Sequence, residues 1–285
     1  MRSRSTGPGA STRPWVLITG CSTGIGQALV PLCRAAGWGV VATARRPETL
    51  TDLPPGDDLR VLALDVTDAA SISASAAACG DLSLKALVNN AGYGQVGPLE
   101  LLRPEELRAQ FETNVIGLHA MTNAFLPLLR RTPGARILQV ASMLGRLSIP
   151  LAGPYNASKH AVVALAETLR LEIGEEVAVV LVEPGAIRTE FRETLSKAWG
   201  DLPERARGTR YERILTRYLA VRKDQSQRFA LAVEPCARKI LRALTAERPP
   251  RRVVIGKDAF WAGKVKALLP AAWWERLLRR AYGLR

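Results

Sequence analysis

Residues 15–26, with the sequence WVLITGCSTGIG, decide the fold. The first four are apolar, which is typical of a strand buried on both faces of a sheet. The glycines follow at the spacing Gly-x-x-x-Gly-x-Gly, which permits a tight turn and lets the backbone approach a pyrophosphate. A helix that starts there offers free N–H groups and a positive dipole end to phosphates. The stretch therefore predicts a dinucleotide-binding loop, with a plain strand-to-helix turn as the alternative.

Short apolar runs alternate with helical patterns along the rest of the chain. Further strands are predicted at 40–43, 61–64, 84–88, 136–140, 177–182 and 253–255. Helices are predicted at 24–36, 69–79, 114–131 and 154–173. Because strands that are apolar throughout are covered on both faces, and because crossovers are right-handed, this order predicts a single α/β domain with a doubly wound parallel sheet.

The predicted domain covers residues 14–260 and follows a flexible, basic lead-in at 1–13. Residues 186–232 are interpreted as a helical insertion over the carboxyl edge of the sheet. Residues 261–285 form an amphipathic, basic C-terminal extension.

The composition is ordinary for a globular protein, since 47% of the 285 residues are apolar and 23% are charged. These values exclude a mostly disordered chain, and four cysteines without metal or redox spacing exclude a disulfide scaffold. No run approaches 18 apolar residues, and the basic N-terminus lacks the apolar core of a secretory signal. We therefore expect a cytoplasmic protein with reduced, buried thiols and no metal site.

The net positive charge of the chain comes entirely from the last hundred residues. Residues 1–185 contain 16 Lys+Arg and 16 Asp+Glu, whereas residues 186–285 contain 24 and 10, a net charge of +14. A basic region is typical of proteins that bind nucleic acid, an anionic membrane or an acidic substrate, and ordinary arginine-rich surfaces share it. Because no recognised nucleic-acid-binding module is visible, we do not expect a nucleic-acid partner.

The end of the second predicted strand indicates which dinucleotide is bound. An NAD site places an acidic residue there, but this sequence has Thr43-Ala44-Arg45-Arg46 and no acid before Glu48. Two guanidinium groups suit a 2′-phosphate because each presents a fork of donors, and Ser22 adds a hydroxyl. We therefore predict NADP(H), with solvated loop arginines as the alternative. The candidate contacts are Gly20, Ser22, Thr23, Gly24, Ile25, Gly26, Arg45 and Arg46.

Tyr155 and Lys159 lie at positions i and i+4 of a predicted helix, so their side chains share one face. A tyrosine has an ordinary pKa of about 10, and an ammonium fixed beside it favours the phenolate and lowers that pKa. Such a phenol is suited to general acid–base chemistry at a hydroxyl or carbonyl group. Taken alone, the same spacing also fits a surface pair.

Together with several other motifs in family order and at family spacing, these features resemble the classical short-chain dehydrogenase/reductase family over residues 14–190. The further motifs are Asp65 after the third strand, Asn89-Asn90-Ala91-Gly92, Asn114 opening a long helix, Ser142 thirteen residues before Tyr155, and Pro184-Gly185-x-x-x-Thr189. The resemblance implies a Rossmann-type enzyme in which the nicotinamide cofactor carries the hydride and the protein supplies orientation and the proton.

The resemblance also implies a role for each matching residue. Tyr155 would be the proton donor in carbonyl reduction, and Lys159 would tune it and bind the nicotinamide ribose. Ser142 would hydrogen-bond the substrate oxygen, and Asn114 would hold a water that links Lys159 to solvent. The implied cofactor contacts, beside Tyr155 and Lys159, are Asp65, Val66, Asn90, Ala91, Gly92, Pro184, Gly185, Ile187 and Thr189.

Within the family, the sequence is similar to the branch of 17β-hydroxysteroid dehydrogenases, retinol dehydrogenases and acyl-dihydroxyacetone-phosphate reductases. The similarity lies in TGCSTGIG (19–26), GPYNASKH (153–160) and PGAIRT (184–189). It implies a lipophilic alcohol or carbonyl substrate, such as a steroid, retinoid or acyl lipid, and a homodimer or homotetramer. The alternatives are a dinucleotide-binding regulatory protein with little turnover and a reductase of small or carrier-bound oxoacyl substrates.

Two segments outside these motifs carry further predictions. Residues 191–229 contain an apolar helical face, clearest at 211, 214, 215 and 218, which we interpret as a mobile substrate lid. Residues 261–284 interleave tryptophan and leucine with lysine and arginine, and Pro270 is expected to divide them into two helices. This pattern predicts contact with an anionic membrane surface or an apolar partner; packing on the substrate pocket or across a dimer interface is the alternative.

Overall fold

Seven parallel strands form the central sheet of the computed structural model, which describes residues 13–189, 198–218 and 230–284. The strands are β1 (Trp15–Ile18), β2 (Gly39–Ala44), β3 (Leu59–Ala63), β4 (Leu84–Asn89), β5 (Arg136–Val140), β6 (Ala178–Pro184) and β9 (Arg252–Ile255), and β7 (Ile187–Arg188) pairs separately with β8 (Leu231–Ala232). Their order in the sheet is β3-β2-β1-β4-β5-β6-β9. The predicted doubly wound α/β fold is confirmed, and its crevice opens where the order reverses, between β1 and β4.

Helices cover both faces of the sheet. The helices are α1 (Gly24–Ala35), α2 (Ala69–Ala77), α3 (Pro104–Phe111), α4 (Leu118–Arg130), α5 (Gly153–Ile173), α6 (Leu202–Ala206), α7 (211–218), α8 (Val233–Thr245), α9 (Lys257–Leu268) and α10 (Ala271–Tyr282). Of these, α6, α7 and α10 form a separate small cluster beyond the sheet. Successive side chains of a strand point to opposite faces. Leu17 therefore joins the buried cluster that contains Phe125 of α4, whereas Ile18 joins the cluster that contains Leu29 of α1.

The helix predicted at 114–131 starts earlier than expected. It begins at Pro104 as α3, passes through a π-helical turn at Glu112–Gly117 and continues as α4. Proline fits the first turn of a helix because an N–H there has no partner within the helix. Asn114 therefore lies inside a continuous helical run and does not open it, which corrects the prediction.

Of the lid predicted at 191–229, residues 198–218 are described. Its residues 191–197 and 219–229, like residues 1–12 of the lead-in, lie outside the described residues. Leu215 and Tyr218 of α7 are buried, in a small apolar cluster that also contains Tyr282 of α10. The apolar face of α7 therefore packs on protein.

The C-terminal extension forms α9 and α10, which are divided at Pro270 as predicted. Tyr282 of α10 stacks on Tyr218 of α7, with ring centroids 6.1 Å apart. The extension therefore packs against the segment predicted as a lid. Across the described part of the chain, the helices are too short or too polar to cross a membrane.

Candidate active site

A cleft of about 1060 Å³ opens at the carboxyl ends of the strands. The glycine loop and the ends of β2 and β3 form one side of it, and the ends of β5 and β6 with the start of α5 form the other. The predicted residues that line it are Gly20, Ser22, Thr23, Gly24, Ile25, Arg45, Asp65, Val66, Asn90, Ala91, Gly92, Ser142, Tyr155, Lys159, Pro184, Gly185, Ile187 and Thr189. Three other predicted residues, Gly26, Arg46 and Asn114, lie outside the lining.

The glycine loop lines the cleft in a backbone conformation that favours glycine. Gly20 has φ +72° and Gly24 has φ +62°, a region that side-chain-bearing residues rarely adopt. A Cβ at Gly26 would lie 2.3 Å from the carbonyl oxygen of Gly20, so Gly26 lets the helix pack directly beneath the loop. Thr23 makes no side-chain cap to α1, which leaves first-turn N–H groups available to an anion.

Asn90 holds this loop in place from the end of β4. Its side-chain amide donates to the carbonyl oxygens of Thr19 at 2.9 Å and Gly20 at 3.1 Å. The hydroxyl of Thr19 in turn accepts from the backbone N–H groups of Asn90 and Ala91, both at 2.9 Å. These bonds fix the spacing between the first and fourth strands, where a dinucleotide would lie across the switch point.

The rim at the end of β2 carries positive charge. Arg45 lines the cleft, whereas Arg46 is exposed outside it. Asp65 accepts hydrogen bonds from the backbone N–H and the hydroxyl of Thr67 at 2.9 and 2.8 Å. Its partial burial opposes ionisation, but these bonds and the nearby Arg45 guanidinium together lower the pKa of Asp65 below its ordinary value.

Ser142, Tyr155 and Lys159 form the opposite side. The Lys159 ammonium lies 5.7 Å from the centroid of the Tyr155 ring and donates to the carbonyl oxygen of Val140 at 2.8 Å. The Ser142 Oγ accepts from the N–H of Leu144 at 3.1 Å, which leaves its own proton to donate into the cleft. Burial lowers the pKa of Lys159 to about 8.

Asn114 supports this side from behind. Its Nδ2 donates to the carbonyl oxygen of Tyr93 at 2.9 Å and to the Ser158 hydroxyl at 3.2 Å, and its Oδ1 accepts from the N–H of Tyr93 at 3.1 Å. A Cβ at Gly92 would lie 3.0 Å from Asn114 Oδ1 and 3.8 Å from Lys159 Nζ. Asn114 and Lys159 therefore lie on either side of the same backbone position, although Asn114 does not line the cleft, and the water-holding role implied by the resemblance stays a prediction.

Several lining residues were not predicted from the sequence. Asp258 accepts from the N–H of Ala186 at 2.6 Å and so holds the turn after β6. The apolar outer wall comes from the loop after β5 and from the C-terminal extension. Its members are Leu144, Leu147, Ile149, Ala262, Trp274, Leu277, Leu278, Ala281 and Tyr282. The tryptophan–leucine pattern of the extension was the only sequence signal for this wall, and pocket packing was one alternative derived from it.

A buried charge cluster lies behind the site. Glu183, with no solvent exposure, accepts from Arg252 at 2.9 Å and lies 2.9 Å from a guanidinium nitrogen of Arg146. Burial raises the pKa of this carboxyl, and the two guanidiniums oppose that rise. Lys266 of α9 donates to the carbonyl oxygen of Arg146 at 2.5 Å, so the cluster ties the loop after Ser142 to β6 and the extension.

The four cysteines are free and buried, as predicted. Burial raises the pKa of Cys21, Cys33 and Cys236 to about 12, which is typical of inert thiols. Within the described ranges, no group of three or more His, Cys, Asp or Glu side chains is placed to hold a metal ion.

Comparison with known proteins gives a family match over most of this chain. The model of the short chain dehydrogenase family matches residues 14–199. Retinol dehydrogenase 5 from Homo sapiens is 31% identical over 290 residues, which cover 95% of this chain and 89% of that protein. The 17-beta-hydroxysteroid dehydrogenase type 6 from Rattus norvegicus is 32% identical over 86% of this chain and 81% of that protein. An NADPH-dependent 3-dehydrocapnine reductase from Ornithobacterium rhinotracheale is 31% identical, covering 94% and 95%.

Solved structures share the whole fold. A short chain dehydrogenase from Burkholderia cenocepacia in complex with NADP superposes with a TM-score of 0.73 at 27% identity, covering 93% of this chain and 97% of that one. A short chain dehydrogenase/reductase from Burkholderia phymatum in complex with NAD superposes with a TM-score of 0.72 at 28% identity, covering 88% of this chain and 90% of that one. The predicted fold and resemblance are confirmed, and both forms of the cofactor occur among similar structures.

Proposed function

This chain belongs to the short-chain dehydrogenase family of NAD(P)-dependent oxidoreductases, and we propose that it uses NADP(H) to interconvert an alcohol and a ketone or aldehyde on a lipophilic substrate. One observation carries the proposal: Ser142, Tyr155 and Lys159 face a cleft that has a phosphate-binding loop on one side and an apolar outer wall on the other.

The residues present fit a dinucleotide phosphate. The uncapped N-terminus of α1 and the glycine loop suit the pyrophosphate, and Arg45 on the rim suits a 2′-phosphate. No acidic residue stands at 43–47, where an NAD site would need one. When bound, NADP(H) supplies or accepts the hydride. The name of the Ornithobacterium relative, an NADPH-dependent reductase, is consistent with this choice.

Side chains of this protein supply the proton in the proposed reaction. In the reductive direction the Tyr155 hydroxyl protonates the carbonyl oxygen, while the Ser142 hydroxyl donates a hydrogen bond to the same oxygen. The Lys159 ammonium favours the phenolate that remains. With a pKa of about 8, this ammonium is the main form at pH 7, and the support it gives to the phenolate declines as the pH rises through 8.

The outer wall favours an apolar substrate. Leu144 and Leu147 approach from the loop after β5, and Leu277 and Leu278 approach from α10. Burial of apolar surface contributes about 25 cal/mol per Å², so an alkyl chain or ring held there gains several kcal/mol over a small polar substrate. Two relatives named for retinol and 17β-hydroxysteroid oxidoreduction are consistent with this class.

The proposal is tested by following NADPH oxidation over a series of aldehydes and ketones of increasing apolar size, with NADH in parallel. We expect kcat/KM to rise with the length of the apolar group, by roughly fourfold for each buried methylene at about 0.8 kcal/mol. Turnover confined to short polar carbonyls, or none over the whole series, would contradict it.

The replacement Arg45→Ala is expected to raise the KM for NADPH about 10- to 100-fold while leaving the KM for NADH nearly unchanged. A charge-assisted contact to phosphate is worth about 1.5–3 kcal/mol, and NADH lacks that phosphate. Arg46→Ala is the matched control, because Arg46 lies outside the lining and should matter less. Tighter wild-type binding of NADH than of NADPH would exclude the cofactor preference.

Amide hydrogen exchange is expected to slow at residues 202–218 when cofactor and substrate are both bound. The apolar face of α7 already packs with α10, which walls the cleft, so a ligand that fills the cleft stabilises both helices. At a ligand concentration 100 times Kd the largest slowing is about 100-fold. Equal exchange in the free and ternary forms would identify this segment as a fixed element and not a lid.

A further inference from the structure

The two C-terminal helices expose the apolar residues that a soluble helix would normally bury. On α9 the small residues Ala259, Ala262 and Gly263 face the protein, while Trp261 is 60% and Leu268 is 85% exposed. On α10, Trp273 is 64% exposed. The exposed apolar residues of these two helices, which are together called the exposed apolar patch, are Phe260, Trp261, Val265, Leu268, Trp273 and Leu277.

Positive charge lies directly on the patch. The ammonium of Lys264 is 4.4 Å from the centroid of the Phe260 ring and 5.8 Å from that of Trp261. Residues 257–284 contain six Lys+Arg and two Asp+Glu, and one of those acids, Asp258, is bound to the N–H of Ala186. A surface that is apolar, aromatic and basic at once is complementary to anionic lipid headgroups over an acyl layer.

We propose that the exposed apolar patch of α9 and α10 docks this protein on an anionic lipid surface. The charge favours this occupant over a second copy of the chain, because a twofold interface here would place like charges against each other. The described helices do not span a bilayer, so the contact is one of helices lying on the surface.

The patch also borders the cleft. Leu277 belongs to the patch and lines the cleft, beside Trp274 and Leu278 of the same helix. On a lipid surface the outer wall of the cleft would therefore lie against the membrane, and a lipophilic substrate could pass between the two without crossing water. This last step rests on the proposed function; the docking itself does not.

Flotation with lipid vesicles tests the docking on the full-length protein with NADPH bound. We expect binding to vesicles of equal parts phosphatidylglycerol and phosphatidylcholine, weakening with added salt, and little binding to phosphatidylcholine alone. Absence of binding to the anionic vesicles at low ionic strength would overturn the proposal, as would equal binding to both kinds of vesicle.

Paired variants show whether vesicle binding depends on the exposed apolar patch or on any exposed apolar side chain. Leu268→Ser should weaken binding to anionic vesicles about tenfold or more, because a leucine side chain buried in the acyl region is removed. Leu171→Ser is the matched control, since Leu171 on α5 is 84% exposed and lies outside the patch, and it should change nothing. Lys257→Gln with Lys264→Gln should weaken binding about 30-fold, at about 1 kcal/mol for each charge.

Vesicle binding is measured without turnover. The docking proposal can therefore fail or hold independently of the proposed enzymatic function. Circular dichroism checks that each variant is folded. A different result would be that the wild type does not bind vesicles and that Leu268→Ser dissociates a dimer, as measured by light scattering. In that case the patch is an interface between copies of the chain, and the lipid proposal is wrong.

Discussion

Tyr155→Phe is expected to lower single-turnover reduction at least 10²- to 10⁴-fold. The substitution removes the hydroxyl with little change in shape, and general acid catalysis is worth about that factor. NADPH affinity should change little, because the glycine loop and Arg45 lie on the other side of the cleft. Single-turnover kinetics are required, so that product release does not mask the loss.

The matched control is Tyr211→Phe, which removes a hydroxyl at an exposed contact with Glu100. It should reduce the rate less than about twofold, because a surface hydrogen bond remote from the reacting atoms does not contribute to the activation free energy of the reduction. If Tyr155→Phe kept more than a tenth of the wild-type rate, Tyr155 would not be the proton donor.

Gly26→Ala is expected to raise the Kd for NADPH about 100-fold or more. The added methyl would sit 2.3 Å from the Gly20 carbonyl oxygen and 2.7 Å from the Asn90 amide nitrogen, so backbone has to move. The loop would shift away from the pyrophosphate, and the loss of two charge-assisted contacts at about 1.5–3 kcal/mol each gives this factor. Fluorescence titration of the bound nicotinamide measures it.

Gly80→Ala is the control for that variant. It also adds a methyl to a glycine of ordinary backbone conformation, but its nearest neighbour is the Ala77 carbonyl oxygen at 3.2 Å, far from the cleft. It should leave the Kd for NADPH unchanged. An unchanged Kd in Gly26→Ala would mean that the loop does not set the approach of the cofactor.

The strands could be predicted because burial on both faces leaves an unbroken apolar run. In β1 and β2 every residue is buried, and the predicted 40–43 falls within Gly39–Ala44. The edge strand β3 is half exposed and begins at Leu59, two residues before its apolar run. Pairing with β2 sets that start, and pairing is not readable from hydrophobicity alone.

The start of the helical run at Pro104 had a sequence signal that was missed. Proline at the first position and Glu106 bonding back to the N–H of Arg103 form a helix start that does not depend on apolar periodicity. The π-helical turn around Asn114 has no comparable signal. It is stabilised by tertiary hydrogen bonds to Tyr93 and Ser158, which come from other elements.

The position of the site could be predicted from motifs, whereas its outer wall could not. Motif residues such as Ser142 and Tyr155 follow strand ends or helix starts, and the topology brings those together. Trp274 and Asp258 reach the same cleft from the far end of the chain, through packing that leaves no fixed spacing in the sequence.

Because α9 and α10 form part of the outer wall of the cleft, the residues for chemistry and these residues of the wall lie in different parts of the chain. The residues assigned to the nucleotide and the proton all precede residue 190, whereas much of the apolar surface that we propose meets the rest of the substrate lies between 262 and 282. Selection acting on one contiguous C-terminal stretch can therefore change which molecules are accepted while the reaction stays constant.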